Sequence, residues 1–194
     1  YATTYLRRGV RDIWPRAGFN FSGGYYHAPF DNRVYGAVSS LGLTAYAPGI
    51  LKHHTLKLSA QHQVQYPLDP SRPAFINLMT MPRGYQSIYG RVLTRYSADY
   101  VFPIVYPDWE LSSILYLKRI RGGFWVDYMK GTDVVIREPS AHYEDRNYMS
   151  MGADVLTDFN LFRIPFPLSV GARYIYEPEN RLSSFQLLFS IEIR

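Results

Sequence analysis

Leu56-Lys57-Leu58-Ser59-Ala60-Gln61-His62-Gln63-Val64-Gln65-Tyr66 alternates at every step. Lys57, Ser59, Gln61, Gln63 and Gln65 fall on one face, and Leu56, Leu58, Ala60, His62, Val64 and Tyr66 on the other. A period of two is the mark of a strand with one wet and one apolar face. A strand of a soluble sandwich also alternates, so this stretch alone does not settle the setting. Nearly every candidate strand in the chain repeats the pattern at a length near ten residues. That is the pattern of a barrel whose outside meets lipid and whose inside meets water.

One strand remnant, Ala2–Arg7, and eight fuller strands follow from alternation and turn residues. The fuller strands are Gly18–Tyr26, Tyr35–Tyr46, Thr55–Tyr66, Arg91–Phe102, Leu111–Tyr128, Met149–Phe159, Leu168–Tyr176 and Ser184–Arg194. In Arg91–Phe102, Val92, Tyr96, Ala98, Tyr100 and Phe102 oppose Leu93, Arg95, Ser97 and Asp99. Alternation falters around Arg119–Gly123, where the pair Gly122-Gly123 predicts a bulge. Lys130–Arg146 is charged and mixed, and reads as a loop. Arg11–Arg16, Ala47–His53, Pro103–Asp108 and Arg163–Pro167 are short connections with Pro or turn character, and Ala28–Asn32 is a further turn. The connection Pro67–Gly90 is long. Short turns at one end and long loops at the other is the outer-membrane arrangement. No capping signal leads into a 3.6-residue apolar period, so helix is not expected.

Composition narrows the function. The 194 residues suffice for one domain with a core, and 47% apolar against 19% charged excludes disorder. The 18 Tyr and 11 Phe are many. Tyrosine, with an apolar ring and a hydroxyl that seeks water, collects at membrane interfaces. No run of about 18 apolar residues occurs, so no membrane helix is expected. A mean hydropathy of −0.20 suits strands that are half polar. The net charge is +5, but the 21 Lys and Arg are scattered without a basic stripe, which argues against nucleic acid. Without cysteine there is no disulfide framework, thiolate metal site or Cys nucleophile. The pair His53-His54, His62 and His142 lack partners at metal-ligand spacing, so no metal and no cofactor is expected. Ser39, Ser40 and Ser87 lack a nucleophile-elbow context, and no enzyme activity is expected. The chain opens at Tyr1 inside what reads as the end of a strand, so it is expected to be a piece of a longer protein.

One constellation carries more. Arg83-Gly84-Tyr85 sits in the long loop. The next strand holds Ser97-Ala98-Asp99-Tyr100-Val101-Phe102-Pro103, and the one after it Trp125-Val126-Asp127-Tyr128-Met129. This order resembles the BamA-type superfamily of outer-membrane barrels, with Tyr85 for the more usual Phe, Asp99 for the commoner Glu, and Met129 where Gly is usual. The resemblance implies the C-terminal half, over residues 1–194, of a roughly sixteen-stranded antiparallel transmembrane β-barrel. Its implied function is insertion, assembly or translocation of proteins at the outer membrane of a Gram-negative-type bacterium. Implied partners are outer-membrane lipid and lipopolysaccharide, client outer-membrane proteins and accessory envelope proteins.

The physical expectation beside it is an anchor. An Arg fork from the loop meets a lumen carboxylate. The strand period puts Asp99 on the lumen face, with Asp127 a second acceptor and Trp125 beside it. Gly84 permits close backbone approach, and Tyr85 offers a ring to the wall. A passive pore or structural barrel subunit is the alternative, and a soluble β-barrel binding an apolar ligand a further one. The final strand Ser183–Arg194 lacks the Gly of a strand that opens laterally, which weakens the insertase reading.

Overall fold

The computed structural model describes residues 1–6, 12–27, 36–66, 77–86, 88–112, 114–137, 140–162 and 166–191, with backbone alone over 133–137 and 140–143. The protein is all-β. Its strands are β1 (Ala2–Tyr5), β2 (Gly18–His27), β3 (Ala37–Pro48), β4 (Thr55–Tyr66), β5 (Val92–Val105), β6 (Trp109–Leu111), β7 (Leu115–Arg137), β8 (Ser140–Leu161), β9 (Leu168–Glu177) and β10 (Leu182–Ile191). They form one antiparallel sheet in the order β1-β2-β3-β4-β5-β7-β8-β9-β10, with β6 paired to the start of β7. Each main strand pairs with its sequence neighbour, so connections fall alternately at the two sheet ends. Among the described residues the sheet does not close: β1 and β10 each have a single neighbour. No described helix is long and apolar enough to cross a membrane, which leaves crossing by strands open.

Sidedness is the fold's main physical property. In β7, Gly123, Trp125, Asp127, Met129 and Gly131 are buried, while Phe124, Val126, Tyr128 and Lys130 are exposed. β5 keeps the same rhythm: Leu93, Arg95, Ser97, Asp99 and Val101 are buried, and Tyr96 is exposed. The buried face is the polar one. It is covered by the described part of the long loop, 77–86 and 88–90. The bare face carries Phe19, Phe21, Leu41, Leu43, Leu58, Tyr96, Phe124, Val155, Val170, Phe185, Leu187 and Phe189, all exposed. A water-soluble sheet buries its apolar face; this sheet does the reverse.

Four expectations are corrected. Lys130–Arg146 is not a loop, because β7 and β8 run on to pair as far as Arg137↔Ser140. Its charges pair across the ladder instead: Lys130 Nζ lies 2.7 Å from Asp145, whose Oδ1 also accepts from Thr132 Oγ1. Nor does Pro103–Asp108 simply turn. β5 continues to Val105 with a register shift between Pro103 and Val105, which accommodates a residue without an N–H. Leu111 belongs to the short strand β6, not to β7. The bulge lies ahead of the glycines: register shifts between Leu117 and Arg119, while Gly122 and Gly123 pair regularly with Phe102 and Val101. The expected turn at Ala28–Asn32, the end of Ala2–Arg7 at Arg7, and Glu192 to Arg194 of the last strand lie outside the described residues.

Candidate functional site

The loop is held to the polar face in three places. First, the strand β4 glutamines act as backbone surrogates. Gln63 Oε1 accepts from the Leu78 N–H at 2.7 Å and its Nε2 donates to Asn77 Oδ1 at 3.1 Å; Gln61 Oε1 accepts from the Thr80 N–H at 3.2 Å. Second, an apolar cluster joins Met79 and Ile88 of the loop to Leu93 of β5 and Met129 of β7. Met129 is fully buried within it. Tyr85 packs on this cluster, edge-on to Tyr148 at 5.4 Å, and its hydroxyl donates to the Met149 carbonyl at 3.3 Å. Burial, with the Glu177 and Glu179 carboxylates adding to it, pushes the Tyr85 hydroxyl up to about 12.

Third, Arg83 enters a group of charges on β5, β7, β8 and β9. Its Nη2 donates to Asp99, its Nε lies 3.4 Å from Asp127 Oδ2, and its backbone N–H donates to that oxygen at 3.0 Å. The guanidinium lies over the Trp125 ring at 4.4 Å. Asp127, with no solvent exposure, also accepts from Arg95 Nη2 at 2.7 Å. Trp125 Nε1–H donates to Asp154 Oδ1 at 2.8 Å, and Arg173 grips Asp154 with Nε at 2.8 Å and Nη2 at 2.7 Å. The pairing register makes this possible, since Asp99, Trp125, Gly152 and Ile175 stand in one row. Gly152 leaves room for the indole: a Cβ there would lie 2.6 Å from Trp125 Cζ2. Gly84 is in the left-handed region at φ 95°, and a Cβ on it would lie 2.7 Å from Glu177 Oε1 and 3.1 Å from Ile175.

Of the residues singled out in the sequence, Arg83 meets Asp99, Trp125 and Asp127; Gly84 lies instead against Ile175 and Glu177, and Tyr85 against Tyr148 and Met149. Alternation placed Arg95 on the same face as Asp99 but did not join it to the group, and the pairing of Asp154 with Arg173 had no sequence signal. Sequence reasoning also missed a second charge cluster nearer the short-turn end. There Asp158 of β8 accepts from Arg119 Nε at 2.5 Å, Arg121 Nε at 3.1 Å and Ser169 Oγ at 2.6 Å. Arg119 Nη1 reaches the Asp12 carbonyl at 3.4 Å, and Asp12 Oδ1 lies 2.7 Å from His53 Nδ1. The available signal was Asp158 itself, an acid on the polar side of β8. The bulge hid its partners.

His54 Nδ1 lies 2.8 Å from the Tyr100 hydroxyl and His62 Nδ1 2.9 Å from Thr94 Oγ1. Among the described residues no three His, Asp or Glu side chains are grouped to hold a metal. The arrangement offers structural anchoring: the arginines and carboxylates of the group are paired and largely buried, and the three loop attachments together engage β4, β5, β7 and β8. Comparison with family models, with curated proteins and with solved structures returns no match to this chain.

Proposed function

We propose that this chain forms part of the wall of an outer-membrane β-barrel, with lipid against the bare face and the loop folded into the interior. The single observation that carries the reading is the inverted sidedness: large apolar side chains exposed across successive strands, and paired charges buried behind them. In a membrane that distribution places each face in its matching solvent. Two open edges cannot face hydrocarbon, because their N–H and C=O groups would lack partners, so further strands close the wall. The β7–β8 ribbon supports the same reading. Residues 133–137 pair only with 140–144, beyond the reach of β5 and β9, as a hairpin rising from the membrane surface would.

On the resemblance of Arg83-Gly84-Tyr85, Asp99 and Trp125-x-Asp127 to BamA-type barrels, the activity proposed is insertion, assembly or translocation of outer-membrane proteins. Lipid, lipopolysaccharide, client barrels and accessory envelope proteins are the partners of that reading. Barrel shape and strand edges do the work; no covalent step is involved. The test is reconstitution of the full-length protein in liposomes, followed by the rate at which an unfolded outer-membrane barrel acquires its folded, heat-modifiable form. Acceleration over empty liposomes supports the proposal. Steady ion conductance with no acceleration supports a pore in its place.

A further inference from the structure

Between the two charge clusters the polar face holds a cavity of about 330 Å³, large enough for a small molecule. Its floor is open because Gly123 stands between Arg121 and Trp125 on the inward side of β7, where any larger residue would fill it. The Arg83 end of the loop bounds one side and Trp14 another. The cavity reaches Leu188 and Ser190 on β10.

The charges around it are unequal. Lys57, Arg83, Arg121 and Arg173 line the cavity, against the carboxylates of Asp99 and Asp154. Two more carboxylates stand just behind, and each is already divided between two arginines: Asp127 between Arg83 and Arg95, Asp158 between Arg119 and Arg121. Lys57 has no ion-pair partner among the described residues; its ammonium lies 5.1 Å from the centre of the Trp14 ring. A compact ammonium in a half-covered, low-dielectric recess attracts an anion. Apart from Ser190, the remaining lining is flat or apolar, Trp14, Trp125, Val101, Leu156 and Leu188 among it.

We propose that this cavity binds a small carboxylate with an aromatic or apolar body, its carboxylate on Lys57 and its body between Trp14 and Trp125 over Gly123. The site borders the loop anchor, sharing Arg83, Asp99 and Trp125 with it, and does not depend on the proposed insertase activity. Binding is non-covalent.

The experiment titrates the purified full-length protein in detergent micelles with 3-phenylpropionate and with its neutral counterpart 3-phenylpropan-1-ol. Heat is measured by calorimetry, with protein-free micelles subtracted. The acid should bind saturably and at least tenfold more tightly than the alcohol. Lys57→Gln should bring the acid down to the alcohol's affinity, and Gly123→Val should weaken both at least tenfold. Protease protection of the loop at Arg83 serves as the check that both variants remain folded. Lys57→Gln keeps the test informative if Gly123→Val does not fold. Equal binding of acid and alcohol, unchanged acid affinity in Lys57→Gln, or no binding by the folded protein would each overturn the proposal.

Discussion

Asp127 and Asp158 are both almost fully buried, both lie on the polar face, and both are shared by two arginines. They differ in where those arginines come from. Asp127 takes Arg95 from the adjacent strand β5 and Arg83 from a loop 44 residues away in sequence. Asp158 takes both Arg119 and Arg121 from the single strand β7 paired beside it. One carboxylate therefore ties a distant segment onto the sheet, and the other staples two neighbouring strands. Similar local chemistry performs two mechanical tasks, and the distinction is set by chain connectivity. The bulge at Lys118 is what permits the second. It lets Leu117 pair with Phe159 on the bare face while Arg119 pairs with Asp158 on the polar one.

The sharpest way to break the comparison is Asp127→Ala. It leaves Arg95 without its buried counter-ion and Arg83 with Asp99 alone, at a cost of about 3–5 kcal/mol. Denaturant unfolding should shift to lower concentration, and the loop should lose its protease protection in the same variant. Asp158→Asn keeps the shape but removes the charge between Arg119 and Arg121, for roughly 2–3 kcal/mol. Here the sheet should weaken while the loop stays protected; simultaneous loop release would show that the two clusters are not independent. Arg83→Ala should cost loop attachment alone, about 1.5–3 kcal/mol, because the ladder does not involve its side chain. Cleavage within 77–90 should rise with the unfolding midpoint nearly unchanged. Gly84→Ala is the mildest, about 1–2 kcal/mol from the left-handed backbone, with Glu177 able to swing aside. It should increase loop cleavage less than Arg83→Ala does.

Much of the sheet was legible because alternation is a local property. Val92 to Phe102 and Leu56 to Tyr66 reveal their faces without knowledge of any partner. Residues 130–146 were misread for the converse reason: Lys130, Asp145 and Arg146 look like solvated loop residues until the ladder sets Lys130 near Asp145. The anchor was legible through one motif in a loop followed by an acid on each of the next two strands. Arg173 and Asp154 carried no comparable signal, since their pairing depends on the register of β8 against β9. The Asp158 cluster was hidden by the bulge. A single extra residue inverts the apparent face of everything before it, and the glycines that drew attention lie three and four residues beyond Arg119. β10 shows the remaining limit. Its alternation is clean, yet Leu182–Ile191 is exposed on nearly all positions, Leu187 at 92%, because burial of an edge strand depends on what lies beside it.

The central claim is that the bare face meets hydrocarbon and the covered face does not. Single cysteines carrying a fluorophore at Leu58, Tyr96, Val170 and Leu187, and at Gln61, Asp154 and Gln186, test it in liposomes of the full-length protein made with bromine-labelled acyl chains. Lipid bromine should quench the first set strongly and leave the second near its value in unlabelled lipid. Equal quenching of the two sets, or none in either, would contradict the account.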